Sequence, residues 1–304
     1  MTPSPVPYRG RFAPSPTGPL HLGSLIAALA SYLDARHHDG AWLLRMEDLD
    51  PPREEAGAAD NILTSLRHHG LHWDEQAMFQ SERQAAYGEA LAALQQAGLL
   101  FHCTCTRAML GANGACTGRC REHSGATPGN LPDVGALRAA VPVEYVVEFL
   151  DTLQGPQRSA TGFDVQDFVV RRKDGLFAYQ LAVVVDDHAQ GVTHVVRGAD
   201  LLDSTPKQIF LQQALGYATP TYCHLPLITA NNGQKYSKQN NAPPLDNTEA
   251  ADNLRRALHF LGQPAPPDAL QDIQAILAFA CTHWSTRGIP AVPEIPASAL
   301  GLAP

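Results

Sequence analysis

Arg11-Phe-Ala-Pro-Ser-Pro-Thr-Gly-Pro-Leu-His-Leu-Gly-Ser24 decides how the rest of this chain is read. Residues 9–13 read as a short strand, residues 14–19 as a Pro/Gly loop, and residues 22–37, rich in Ala and Leu, as a helix. Such a junction gathers the unpaired backbone N–H groups of a first helical turn and the positive end of the helix dipole at one place, which suits a phosphate. His21 stands at that mouth. Gly23 would let a nucleotide lie against the backbone where a Cβ would collide. The plainer alternative is an ordinary strand-to-helix loop whose prolines set the turn and whose histidine caps the helix.

Working outward, residues 41–46 form a second apolar strand, and residues 54–69 and 81–98 two further helical patterns. Strands are expected at 144–150, 168–171, 193–196 and 224–229, with helices at 178–188 and 204–216, the latter carrying Thr205-Pro206 near its start. A turn at Asn231-Asn232-Gly233 and a lysine-bearing loop follow, and from Asn247 helical patterns are interrupted by a Pro-rich stretch at 263–267. This α/β alternation implies a parallel sheet with crossover helices. Residues 1–240 are expected to form one nucleotide-binding domain, interrupted by an insert at 101–125. Residues 241–304 are expected to form a short helical region.

The 304 residues, 44% of them hydrophobic, can bury one sizeable core. No run approaches the ~20 apolar residues that span a bilayer, and residues 1–11 lack an apolar leader, so no membrane partner and a cytoplasmic location are expected. The net charge of −8 argues against a surface that grips nucleic acid throughout, leaving room for a local basic patch. Arg171-Arg172-Lys173 is either that patch or solvated surface.

Four of the six cysteines crowd into one segment, Cys103-x-Cys105-(x10)-Cys116-(x3)-Cys120. Four thiolates so spaced are the ligand set of a closed tetrahedral structural zinc, and the clustering favours metal over a disulfide framework. His102 and His123 are nearby alternative ligands. The second charged motif is Lys235-Tyr-Ser-Lys-Gln239. Lys235 and Lys238, three residues apart after Gly233, can both reach a triphosphate and stabilise the charge that develops during displacement at phosphorus. Alone, a short charged loop says little.

Together and in this order, the two motifs resemble the HIGH and KMSKS signatures of class I aminoacyl-tRNA synthetases. Residues 11–23 are close to the glutamyl/glutaminyl form, and Arg45-Met-Glu-Asp-Leu-Asp50, Val183-Val-Val-Asp-Asp-His188 and Val196-Arg-Gly-Ala-Asp200 are similar to that subfamily's blocks. Ser24 replaces the second His of HIGH, Tyr236 the Met and Gln239 the last Ser of KMSKS. A chain this short after the lysine loop, with a cysteine-rich insert, resembles the glutamyl-Q tRNA(Asp) synthetases. The resemblance implies a Rossmann-like class I synthetase fold with no anticodon-binding domain. It also implies ATP-dependent, tRNA-independent activation of L-glutamate, then transfer to the queuosine at the wobble position of tRNA(Asp).

For glutamate, Arg11 and Arg197 are the candidates to fork onto carboxylates and Glu47 the candidate for the ammonium. The resemblance places Arg11 and Tyr179 at the side-chain carboxylate, Glu47 and Ser15 at the α-amine, and Arg197 at the α-carboxylate. It places His21, Gly23, Ser237 and Lys238 at ATP, whose pyrophosphate leaves with Mg²⁺, and makes His21, Lys235 and Lys238 the catalytic groups. Asp186-Asp187 either touches ATP or simply ends a helix. Two rival readings are a truncated synthetase that charges a tRNA 3′ end and a zinc-bearing RNA-binding paralogue without catalysis.

Overall fold

A computed structural model describes residues 7–111, 114–116, 118–123, 135–161, 165–229 and 243–300. Strand β1 (Arg9–Phe12) enters helix α1 (Leu22–His37) and returns as β2 (Ala41–Met46), which pairs in parallel with β1. The short β3 (Met78–Phe79) extends this sheet beyond β2, after helix α2 (Ala58–His68). Helix α3 (Gln84–Gln96) leads to β4 (Leu100–Cys103), from which the cysteine segment and the single turn α4 (Arg119–His123) emerge.

The chain comes back as β5 (Ala136–Ala139), antiparallel to β4, and β8 (Phe168–Arg171) completes a separate three-stranded sheet. Between them lies the hairpin β6 (Val146–Asp151) and β7 (Gly155–Ala160). Helix α5 (Tyr179–Ala189), β9 (His194–Gly198), helix α6 (Thr205–Leu215) and β10 (Thr221–Leu225) then build the second half of the nucleotide fold, in the strand order β7-β6-β10-β9. Its parallel β9/β10 pair is stitched to β1 where the Thr193 N–H donates to the Arg9 carbonyl at 2.9 Å. Pro206 in the first turn of α6 and Gly216, in the left-handed region at φ 70°, start and stop that helix as the sequence suggests.

The expected strand at 224–229 is two elements. Pro226 lacks the N–H that a ladder needs, so β10 ends at Leu225. Strand β11 (Leu227–Thr229) turns away to pair with β12 (Glu294–Pro296). Helices α7 (Ala250–Phe260) and α8 (Ile273–His283) pack on α1, burying Leu254, Leu258, Ile276 and Leu277 in the same core as Leu25, Leu29 and Leu33.

Strand side chains alternate between the two faces of a sheet, and that period decides where the chemistry lies. Phe12, Trp42, Leu44, Met46, Val196 and Cys223 point into the core around α1, while Val195 and Tyr222 point into a second core with α5 and α6. Arg11, Arg45, Arg197 and His224, each one residue out of phase with the first set, therefore lie on the α5 side. All four are buried.

Candidate active site

A cavity of about 570 Å³ opens where β1, β9 and β10 end and α1 begins. Arg11, Ser15, His21, Gly23, Glu47, Tyr179 and Arg197 all line it. His21 is the N-cap of α1: its Nδ1 accepts the Ser24 N–H at 3.3 Å, and no acidic side chain occupies the first turn to offset the helix dipole. The cap and the nucleotide roles considered for this histidine are thus compatible. The Pro14 carbonyl accepts the Glu47 N–H at 2.9 Å, tying the loop to the end of β2.

Behind the cavity, Asp187 of α5 holds two arginines. One carboxylate oxygen accepts from Arg11 Nε at 3.2 Å and from Arg45 Nη1 at 2.7 Å. Arg45 also donates to Gln190 Oε1 at 2.9 Å and reaches Glu47 Oε1 at 3.4 Å. Burial works against the Asp187 carboxylate, but Arg11 and Arg45 overcome it and hold its pKa below the usual range. Glu47 goes the other way: burial pushes its carboxyl up despite Arg45 and Arg11.

Arg197 is held differently. It donates to His224 Nε2 at 3.1 Å, to Thr205 Oγ1 and Gln208 Oε1 at 2.8 Å, and to the Tyr179 hydroxyl at 3.4 Å. Among the described residues its hydrogen-bonding side chains are all neutral. Burial pushes the Tyr179 phenol up, so it stands as a neutral hydroxyl beside that cation.

Lys235, Ser237 and Lys238 lie outside the described residues. On either side of residues 230–242, Ile228 lines the cavity, and the Leu245 N–H donates to the Leu20 carbonyl at 2.9 Å, with Pro244 bridged to His21. The described flanks of residues 230–242 are therefore both anchored at the mouth of α1.

Neither Asp186 nor Asp187 lines the cavity. Asp186 is clamped by Gln80 Nε2 at 2.9 Å, Arg83 Nε at 3.0 Å and the Tyr87 hydroxyl at 2.6 Å. Sequence reasoning missed Arg45 as a member of the charge cluster, although its place two residues before Glu47 in an apolar strand was a readable signal. It also missed Arg53, Asp200 and Thr17, which line the cavity from loops and short turns without regular spacing.

The thiol sulfurs of Cys103, Cys105, Cys116 and Cys120 all lie within 4.8 Å of one another. Cys105 Sγ is 3.5 Å from Cys120 Sγ and 3.9 Å from Cys116 Sγ. Zinc–sulfur bonds of about 2.3 Å in a tetrahedron separate the sulfurs by about 3.8 Å, so the four fit such an ion. Burial opposes the Cys120 thiolate, but the Thr104 backbone N–H and the neighbouring thiols bring its pKa down to about 7. His102 is outside the cluster, and the side chain of His123 is outside the described residues.

Comparison with known proteins gives the family of the chain. The family model of tRNA synthetases class I (E and Q), catalytic domain, matches residues 7–261. A glutamyl-Q tRNA(Asp) synthetase of Pseudomonas fluorescens is 50% identical over 295 residues, covering 96% of this chain and 97% of that protein. One of Yersinia pseudotuberculosis is 49% identical over 289 residues, covering 94% and 85% respectively. In structure, the chain is similar to a glutamate–tRNA synthetase from Elizabethkingia anophelis, with a TM-score of 0.78, 23% identity, and coverage of 97% of this chain and 69% of the other. That likeness shows the shared α/β nucleotide fold. With half of its residues shared along nearly its full length, the chain belongs to the glutamyl-Q tRNA(Asp) synthetases, a family built on the class I glutamate and glutamine tRNA synthetase catalytic domain.

Proposed function

We propose that this chain activates L-glutamate with ATP in the absence of RNA and passes it to the queuosine at the wobble position of tRNA(Asp). The observation that carries the reading is the convergence of Arg11, Arg197, Tyr179 and Glu47 on one cavity beside the His21-capped N-terminus of α1, whose first turn holds no acidic side chain. A zwitterionic glutamate has two carboxylates for the two guanidiniums and an ammonium for Glu47. Arg11 and Tyr179 take the side-chain carboxylate, Arg197 the α-carboxylate, and Glu47 with Ser15 the amine. Tyr179 also reaches Arg197, so it links the two carboxylate subsites.

The α-carboxylate oxygen attacks the α-phosphorus of ATP, the bond to the β-phosphate oxygen breaks, and pyrophosphate leaves; Mg²⁺ bound with the triphosphate would offset its negative charge. Catalysis of this kind rests on positioning and charge stabilisation. His21 and Gly23 shape the nucleotide platform, and Ser237, Lys235 and Lys238 meet the triphosphate from the segment whose described flanks are anchored there. The mixed anhydride is then attacked at its carbonyl by a hydroxyl of the RNA, releasing AMP. The four cysteines hold zinc as a closed structural site, with no open position for chemistry. In this reading residues 1–240 are the catalytic unit, 101–125 its zinc insert, and 241–304 a C-terminal region whose helices α7 and α8 pack on α1 and whose strand β12 pairs with β11.

From the ATP and tRNA that the reaction uses we infer a cytoplasmic location; no helix among the described residues is long and apolar enough to cross a membrane. Labelled glutamate with ATP should comigrate with the protein as an adenylate before any RNA is added. With tRNA(Asp), nuclease mapping should find the label on the anticodon nucleotide. Label on the 3′-terminal adenosine would assign the acceptor to the tRNA end instead.

A further inference from the structure

Parallel pairing of β9 with β10 sets Arg197 directly beside His224, and the next strand, β6, ends at Asp151 on the far side of His224. All three side chains are buried, His224 completely. An arginine Nε can only donate, so the 3.1 Å contact makes His224 Nε2 the acceptor. The imidazole proton is then on Nδ1, which donates to Asp151 Oδ2 at 2.6 Å. Asp151 is fixed in turn, because its other oxygen accepts the backbone N–H groups of Gln154 at 2.8 Å, Leu153 at 3.0 Å and His224 at 3.2 Å. Burial and the nearby Arg197 keep the imidazole neutral, against the pull of Asp151.

From this geometry we infer that His224 and Asp151 are positioning residues that aim the Arg197 guanidinium at the substrate carboxylate without neutralising it. The inference rests on the reading that Arg197 binds the α-carboxylate of glutamate. A carboxylate bonded directly to Arg197 would orient it equally well but would also compete for the charge, as Asp187 does for Arg11 and Arg45. A neutral imidazole supplies the lone pair and leaves the cation unpaired. The arrangement on Nη2, with Thr205 and Gln208 both at 2.8 Å, uses neutral acceptors in the same way and leaves Nη1 toward the Tyr179 hydroxyl. Neither His224 nor Asp151 lines the cavity, so both act through Arg197.

Asp151→Asn isolates the effect. The amide oxygen can keep the three backbone N–H bonds while its NH₂ faces His224 Nδ1. The imidazole must then carry its proton on Nε2 and turn a donor toward the Arg197 Nε–H. In glutamate-dependent ATP–pyrophosphate exchange, KM for glutamate should rise roughly 10- to 100-fold, the scale of a lost charged hydrogen bond, while KM for ATP stays within twofold. His224→Ala should do the same, and His224→Gln, which restores an acceptor, should recover most of the loss. Nitrogen chemical shifts of His224 should report the Nδ1–H tautomer in the parent and the other in Asp151→Asn. A parental KM for glutamate in Asp151→Asn overturns the inference, as does a parallel rise in both KM values. Should Asp151→Asn fail to fold, His224→Ala against His224→Gln decides by the same criteria. Failure of the underlying reading looks different: Arg197→Gln would then leave KM for glutamate unchanged.

Discussion

Replacing Gly23 with Ala separates what α1 needs as a helix from what it needs as a nucleotide platform. Gly23 is the second residue of α1, and an alanine there would ordinarily stabilise the helix by roughly 0.5–1 kcal/mol. The Cβ, however, would lie 3.0 Å from His21 Cε1, 3.1 Å from His21 Nδ1 and 3.3 Å from Ile228 Cγ2. Carbon atoms pack best at about 3.5–4.0 Å, so the imidazole must retreat by roughly 0.5 Å. Its cap to the Ser24 N–H is already 3.3 Å long, and losing it costs about 0.5–2 kcal/mol. The two effects nearly cancel, and the melting temperature should shift by no more than about 4 °C. Nucleotide binding should suffer far more, because the Cβ enters the cavity and His21 is displaced. Misplacement of about 1 Å at a reacting site can cost ~100-fold, so KM for ATP should rise roughly tenfold or more. KM for glutamate should stay within about twofold, since Arg11, Glu47, Tyr179 and Arg197 are untouched. Calorimetry and pyrophosphate exchange at varied ATP check both halves. A parental KM for ATP, or an equal rise for both substrates, would refute the reasoning.

Burial holds the Glu47 carboxyl above its ordinary value, so the carboxylate proposed to receive the ammonium is lost as pH falls through that raised value. KM for glutamate should therefore climb on acidification before free carboxylates titrate, and Glu47→Gln should weaken binding and flatten the profile. Asp187→Ala leaves Arg11 and the fully buried Arg45 without their shared carboxylate, which should cost roughly 3–5 kcal/mol in denaturant unfolding and raise KM for glutamate. Because Asp187 is held below its ordinary pKa, its contribution is present above that ordinary value and disappears as pH falls through the depressed one. Cys105→Ser should lower zinc content, read by elemental analysis, and reduce transfer to RNA while glutamate-dependent exchange is largely kept; loss of exchange in a folded variant would contradict a purely structural zinc.

The parts of the fold that the sequence exposes are those whose determinants are local. Helix α1 runs over residues 22–37 as expected, because its apolar spacing and the His21 cap sit within a few residues of one another. The cysteine cluster is legible for the same reason, its ligands falling within eighteen residues of one another. Strand β7, with Gly155, Pro156 and polar residues, has no alternation to announce it and exists because β6 supplies its partners. The break at Pro226 was readable but was overridden by the apolar run around it. What the sequence conceals is pairing across the fold: Asp187 meets Arg45 and Arg11 from 142 and 176 residues away. Whether the Asp186-Asp187 pair faced a ligand or the interior depended on which strands α5 covers.

Selection of glutamate by this cavity, and its activation without RNA, is the proposal on which the assigned roles depend. ATP–pyrophosphate exchange with L-glutamate, L-glutamine and L-aspartate, in the absence of tRNA, measures it most directly. Exchange should depend on glutamate and fall far off with glutamine, whose neutral amide offers no carboxylate to the buried Arg11 and to Tyr179. Aspartate, one methylene shorter, should also be poor. Comparable exchange with glutamine, or no exchange with glutamate until tRNA is supplied, would contradict the account.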